Sequence, residues 1–106
     1  MDVHDFPDIT INDREDSTNL YEAIDILSDY IDDLGWRKRL SDREESLLKR
    51  ADKWIPSVIS KLNSARVRFV NTDDYLWQEA RAMLDRLRDI EPKIKHILEE
   101  NDKQKA

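Results

Sequence analysis

Cysteine is absent from this chain, and its 106 residues include only one glycine and three prolines. Without cysteine there is no disulfide framework and no thiol chemistry, and a reducing compartment is permitted. One glycine leaves almost no material for the tight primed turns of β-hairpins. No segment alternates apolar and polar residues for long enough to make a strand. Long apolar runs are missing as well: nothing approaches the roughly 20 residues that a bilayer-crossing helix needs, and no basic, apolar leader opens the chain. These absences set the expectation of a soluble cytoplasmic protein without a membrane partner. Glycine-rich phosphate loops, nucleophile elbows and cofactor fingerprints are also lacking. The expectation is therefore a non-enzymatic protein with no cofactor.

What the chain does contain is charge, at 40% of residues, and apolar residues, at 39%, gathered into periodic runs. At this length folding buries on the order of 65% of the extended chain's surface, enough for one core and not two. The net charge of −6 hides a division. Residues 1–34 hold eleven acids against one base, Arg14, for a net of −10, and the other 72 residues hold seventeen bases against thirteen acids, for a net of +4. The chain is electrically two-ended.

Residues 1–18 carry scattered apolar positions (Val3, Phe6, Ile9, Ile11) and Pro7 without helical spacing, which reads as a flexible, extended acidic arm. A bundle over 19–100 and a frayed tail over 101–106 complete the division. Asn19 and Glu22 suit the start of a first helix, in which Leu20, Ile24, Leu27, Ile31 and Leu34 share one stripe. Glu22, Asp25, Asp29, Asp32 and Asp33 fall on the far side from it, and Gly35 is the expected stop. Ser41 and Glu44 form a capping box for a second helix reaching about Phe69, with two adjacent apolar rows. One row is Leu47, Ala51, Trp54, Val58, Ala65 and Phe69, and the other is Leu48, Ile55, Ile59 and Leu62. Asn71 and Thr72 are expected to cap a third helix, whose core face is Leu76, Ala80, Met83, Leu87, Ile90, Ile94 and Ile97. The apolar phase crosses Pro56 and Pro92 without slipping, so both helices are expected to be long and kinked there. A break near Asp89 to Pro92 is the alternative.

The fold class is thus all-α: an antiparallel three-helix bundle behind an acidic arm. At 1.5 Å per residue the first helix would be about 24 Å long and the others about 42 Å. The far end of the second and third helices would then lie bare, exposing Ile59, Leu62, Val67, Phe69, Val70, Tyr75, Leu76 and Trp77 to a partner, to a second copy of the chain, or to the arm folding back through Phe6, Ile9 and Ile11. The candidate partner-binding residues are Glu22, Asp25, Asp29, Asp32, Asp33, Trp36, Phe69, Val70, Tyr75, Trp77 and Arg81. They combine an acidic ridge suited to a basic protein surface with an apolar, aromatic end.

Nucleic acid is disfavoured as a partner. The ridge repels phosphate, and the bases flanking Trp77 (Arg81, Arg88, Lys95) alternate with Asp85, Asp89 and Glu91. Metal binding finds little support in His4 and His96, which are far apart, or in Asp2, Asp5 and Asp8 on a mobile arm. The expected function is an adaptor, inhibitor or immunity- or antitoxin-like regulator. A homo-oligomeric assembly component is the second possibility. A magnesium-dependent helical phosphohydrolase is the third, and it requires acids on a second helix facing those of the first.

Overall fold

Three helices and no strand make up the described residues of the computed structural model, which describes 11–35 and 39–105. Helix α1 spans Arg14–Leu34, α2 spans Asp42–Phe69 and α3 spans Asp74–Lys105. The molecule measures 52 × 22 × 19 Å, and the 32 residues of α3, about 48 Å at helical rise, run nearly its whole length. Helix α3 packs against both α1 and α2, while the backbones of α1 and α2 stay apart.

The apolar stripes become the core. All five stripe residues of α1 are buried, as are all seven of α3, where Leu84 joins them. Both rows of α2 point inward, although Trp54, Ile59 and Phe69 are only half-buried at the margins. One cluster of side chains from all three helices forms a single core, as the amphipathic spacing requires.

The first helix is longer than its apolar stripe. It begins at Arg14 rather than Asn19, because Asp13 is the cap: the Asp16 N–H donates to the Asp13 carboxylate at 2.8 Å, and the Asn12 N–H donates back to Asp16 at 3.0 Å. With 21 residues α1 is about 32 Å long. Ahead of it, Ile11 is buried in the core, and its carbonyl accepts from the Arg68 guanidinium. The bareness expected from a short first helix is therefore corrected: α1 and Ile11 reach the α2–α3 turn, and Leu62 and Leu76 there are buried.

At the other end α3 continues to Lys105, so the expected fraying from residue 101 is also corrected. Asn101 is 1% exposed. Its Nδ2 donates to Glu45 at 3.0 Å, and its Oδ1 accepts the Leu40 N–H at 2.8 Å. The capping box of Ser41 and Glu44 is formed in both directions. Helix α3 is capped by Asp73, which accepts the Leu76 N–H at 3.1 Å, and not by Asn71 or Thr72. Thr72 instead donates to the Arg68 carbonyl.

Pro56 and Pro92 lie within continuous helices, so no fourth helix forms. Both face solvent. Each lacks the N–H that would otherwise reach the carbonyl one turn earlier, that of Asp52 for Pro56 and of Arg88 for Pro92.

Candidate functional site

Three pairs mark the register of α1 on α3. The Arg14 guanidinium stands 4.5 Å from the Tyr75 ring centre, Asp25 meets Arg86 at 2.5 Å, and Asp32 meets Lys93 at 3.8 Å. Each partner lies 61 residues further along, so the two helices run side by side in the same direction. Asp25 and Asp32 therefore flank α3 and are matched by its cations, with Lys93 also reaching Asp89 at 3.3 Å. Of the remaining acids of the ridge, Asp29 and Asp33 are exposed on the outer face of α1, and Glu22, also exposed, stands at the edge of a groove that α1 forms with α3. The acids read as one ridge in the sequence are thus two sets: one spent on α3 and one facing solvent. Trp36 falls outside the described residues, as do Asp2, His4, Asp5, Phe6, Asp8 and Ile9.

The other candidates meet at one end of the rod. The large hydrophobic side chains classed as exposed among the described residues are Val67, Val70 and Tyr75, at 71%, 50% and 43%, and all flank the α2–α3 turn. The chain reverses there through Asn71 to Asp73, with the Thr72 and Asp73 N–H groups donating to the Phe69 carbonyl. Each aromatic of this end holds an arginine. Arg14 covers Tyr75, Arg68 covers Phe69 at 4.5 Å, and Arg81 lies 5.7 Å from the Trp77 ring centre. Phe69 and Trp77 are half-buried, and Arg81 is exposed. The stacks pin long side chains against ring faces and keep the rings partly accessible.

Between α1 and α3 a groove of about 500 Å³ opens beside this end, lined by Thr18, Tyr21, Glu22, Tyr75, Gln78, Glu79 and Ala82. A hydrogen bond to Glu79, with that carboxylate's charge, holds the Tyr75 phenol above the ordinary tyrosine range against the opposing pull of Arg14. Gln78 is oriented by donating to Asp74 at 2.9 Å. Toward the opposite end an apolar hollow of about 590 Å³ lies among Ile31, Gly35, Pro92, His96 and Ile97.

Arg14, Tyr21, Arg68 and Glu79 belong to this end and its groove without any motif in the sequence that marks them. For Arg14 the signal is the 61-residue offset of Asp25 from Arg86 and of Asp32 from Lys93, which carried back to the start of α1 pairs Arg14 with Tyr75. For metal chemistry, the positions on α3 that face Asp25 and Asp32 hold Arg86 and Lys93, where a carboxylate site needs acids. No group of three or more histidine, aspartate or glutamate side chains is gathered for a metal among the described residues. No helix among them is long and apolar enough to cross a membrane.

The fold and the site define an all-α, three-helix domain with a charged aromatic end. No family model, no curated protein and no solved structure matches the chain.

Proposed function

We propose that the chain is a non-enzymatic protein-binding module, an adaptor, inhibitor or immunity- or antitoxin-like regulator, that docks a partner through the end of the rod formed by the α2–α3 turn. The supporting observation is that Val67, Val70 and Tyr75 are exposed together there, with Phe69 and Trp77 half-buried beside them. Apolar side chains framed by arginines on aromatic rings have the composition of interface centres, where tyrosine, tryptophan and arginine carry most of the binding energy. The acids Glu22, Asp29 and Asp33, which form no ion pair among the described residues, favour a partner with a basic surface, mainly by speeding encounter.

The antiparallel course of the bundle belongs to the same reading and is supported by the contact of Glu45, near the start of α2, with Asn101, near the end of α3. So do bends at Pro56 and Pro92 and an acidic arm that adds to the charge of α1. A second copy of the chain is the alternative partner. This end carries Arg66 and Arg68 as well as Asp73 and Asp74, so it is complementary to itself as a two-fold interface requires.

The test compares three tagged forms in capture from extracts of the source organism: the unaltered chain, Val67→Glu with Val70→Glu, and Ser57→Glu with Ser60→Glu on the exposed face of α2. The reading expects a partner that is lost with the first pair of changes and kept with the second. Equal capture by all three forms contradicts it. Light scattering on the pure protein separates a second copy from a foreign partner.

A further inference from the structure

Tyr75 belongs both to the exposed end and to the groove between α1 and α3, and the two surfaces differ in charge. In the groove Glu22 comes from α1 and Glu79 from α3, with the rings of Tyr21 and Tyr75 as walls. Glu22 is exposed and forms no ion pair with any described residue. Glu79 stands in the same groove lining as Tyr75, and a carboxylate can accept more than one donor. Arg14 already lies on the Tyr75 ring at the mouth, so that ring takes a cation on its face. Two carboxylates against this one guanidinium give the groove and its mouth a net charge of −1. At about 500 Å³ the groove is far larger than an ion needs and has room for a long side chain with its stem.

We propose that this groove receives one arginine or lysine side chain of the protein segment that docks on the Val67, Val70 and Tyr75 end, its charged head between Glu22 and Glu79 and its stem along Tyr21 and Ala82. The proposal rests on the docking function above and names the partner's chemistry: a basic side chain next to apolar ones. A groove with aromatic walls distinguishes this place from the open row of Asp29 and Asp33. A convex acidic face attracts cations without holding any one of them, whereas a cleft with ring faces desolvates the stem and orients the head.

The probe is a short synthetic peptide alternating arginine with leucine, set against the same peptide with citrulline, which keeps the shape and removes the charge. Affinities are measured by titration calorimetry for the unaltered protein, Glu22→Gln, Glu79→Gln, the double variant, and Asp33→Asn as an equal charge change on the outer face of α1. Glutamine at position 79 retains an acceptor for the Tyr75 hydroxyl, and circular dichroism checks the fold. Each groove change should weaken binding about fivefold and the pair of changes about 20-fold, as expected for charge-assisted contacts. Asp33→Asn should weaken it less than about twofold, the range of a screened surface charge. The citrulline peptide should bind the unaltered protein about as poorly as the arginine peptide binds the double variant. Equal losses from Asp33→Asn and the groove changes, or no binding of the arginine peptide, overturn the proposal. Failure of the docking reading is a separate result: capture that is indifferent to Val67→Glu and Val70→Glu, whatever the peptide does.

Discussion

Asn101, near the end of α3, donates to Glu45 and accepts the N–H of Leu40, so a single buried amide ties the third helix to the second and to the link that follows the first. Glu45 also accepts from Lys49 at 2.8 Å, and its charge with that hydrogen bond raises the Lys49 ammonium above its ordinary range. Asn101→Ala leaves a buried N–H without an acceptor and removes one donor from a buried carboxylate. The expected loss is about 2 to 4 kcal/mol, read as a lower urea midpoint with an unchanged slope. Asn101→Leu should fail to restore the loss, since extra apolar area satisfies neither group.

Ser17 holds the corresponding place at the start of α1. It is 1% exposed, and its hydroxyl has no hydrogen-bond partner among the described residues. Ser17→Ala removes that unsatisfied group and improves helix propensity, so the expected change is a gain of about 1 kcal/mol in chemical denaturation. A loss of similar size would mean that the hydroxyl is used.

Ser17 and Asn101 also explain where the sequence was legible and where it was not. Hydropathy spacing gave the helices their number, their order and nearly all of the core, because Leu20 to Leu34 and Leu76 to Ile97 repeat at helical intervals and are buried. Ser17 stands three residues before Leu20, and Asn101 four residues after Ile97, each at the next position of its stripe. Both are buried but polar, so a stripe defined by apolarity stops short at each end. Apolar spacing alone thereby places the start of α1 five residues late and does not reveal the order of 101–105. The expectation of a bare end followed from that shortened helix, and only the aromatic and valine side chains around the turn survive from it. The split of the acids was hidden for a different reason: which flank of α1 faces α3 is decided by packing, and periodicity does not record it.

The ion pair of Asp25 and Arg86 should contribute little. Both side chains are more than two-fifths exposed, and water screens such pairs. A double-mutant cycle of Asp25→Asn and Arg86→Gln should give a coupling below about 1 kcal/mol that shrinks further with added salt. A larger, salt-independent coupling would make the pair part of the core's specification.

Tyr75 supplies a pH dependence. The Glu79 carboxylate, by hydrogen bonding and by its charge, pushes the phenol above the ordinary tyrosine value. The group is held protonated in the folded state, so this contact is fully present below the titration of an unfolded tyrosine and is lost as pH rises through that of the folded one. In Glu79→Gln the hydrogen bond can remain but the charge is gone. The tyrosinate absorbance of position 75, isolated by difference from Tyr75→Phe, should then appear at lower pH than in the unaltered protein. An unmoved curve would show that Glu79 does not govern Tyr75.

The central claim, that the Val67, Val70 and Tyr75 end is a docking surface, is tested most directly by a photo-crosslinking residue placed at position 70 and, in a separate form, at the exposed position 57, each expressed in the source organism. The account predicts a discrete heavier adduct from position 70 that is absent from position 57 and is competed away by the unaltered protein. Adducts of the same pattern from both positions, or none from position 70, would contradict it.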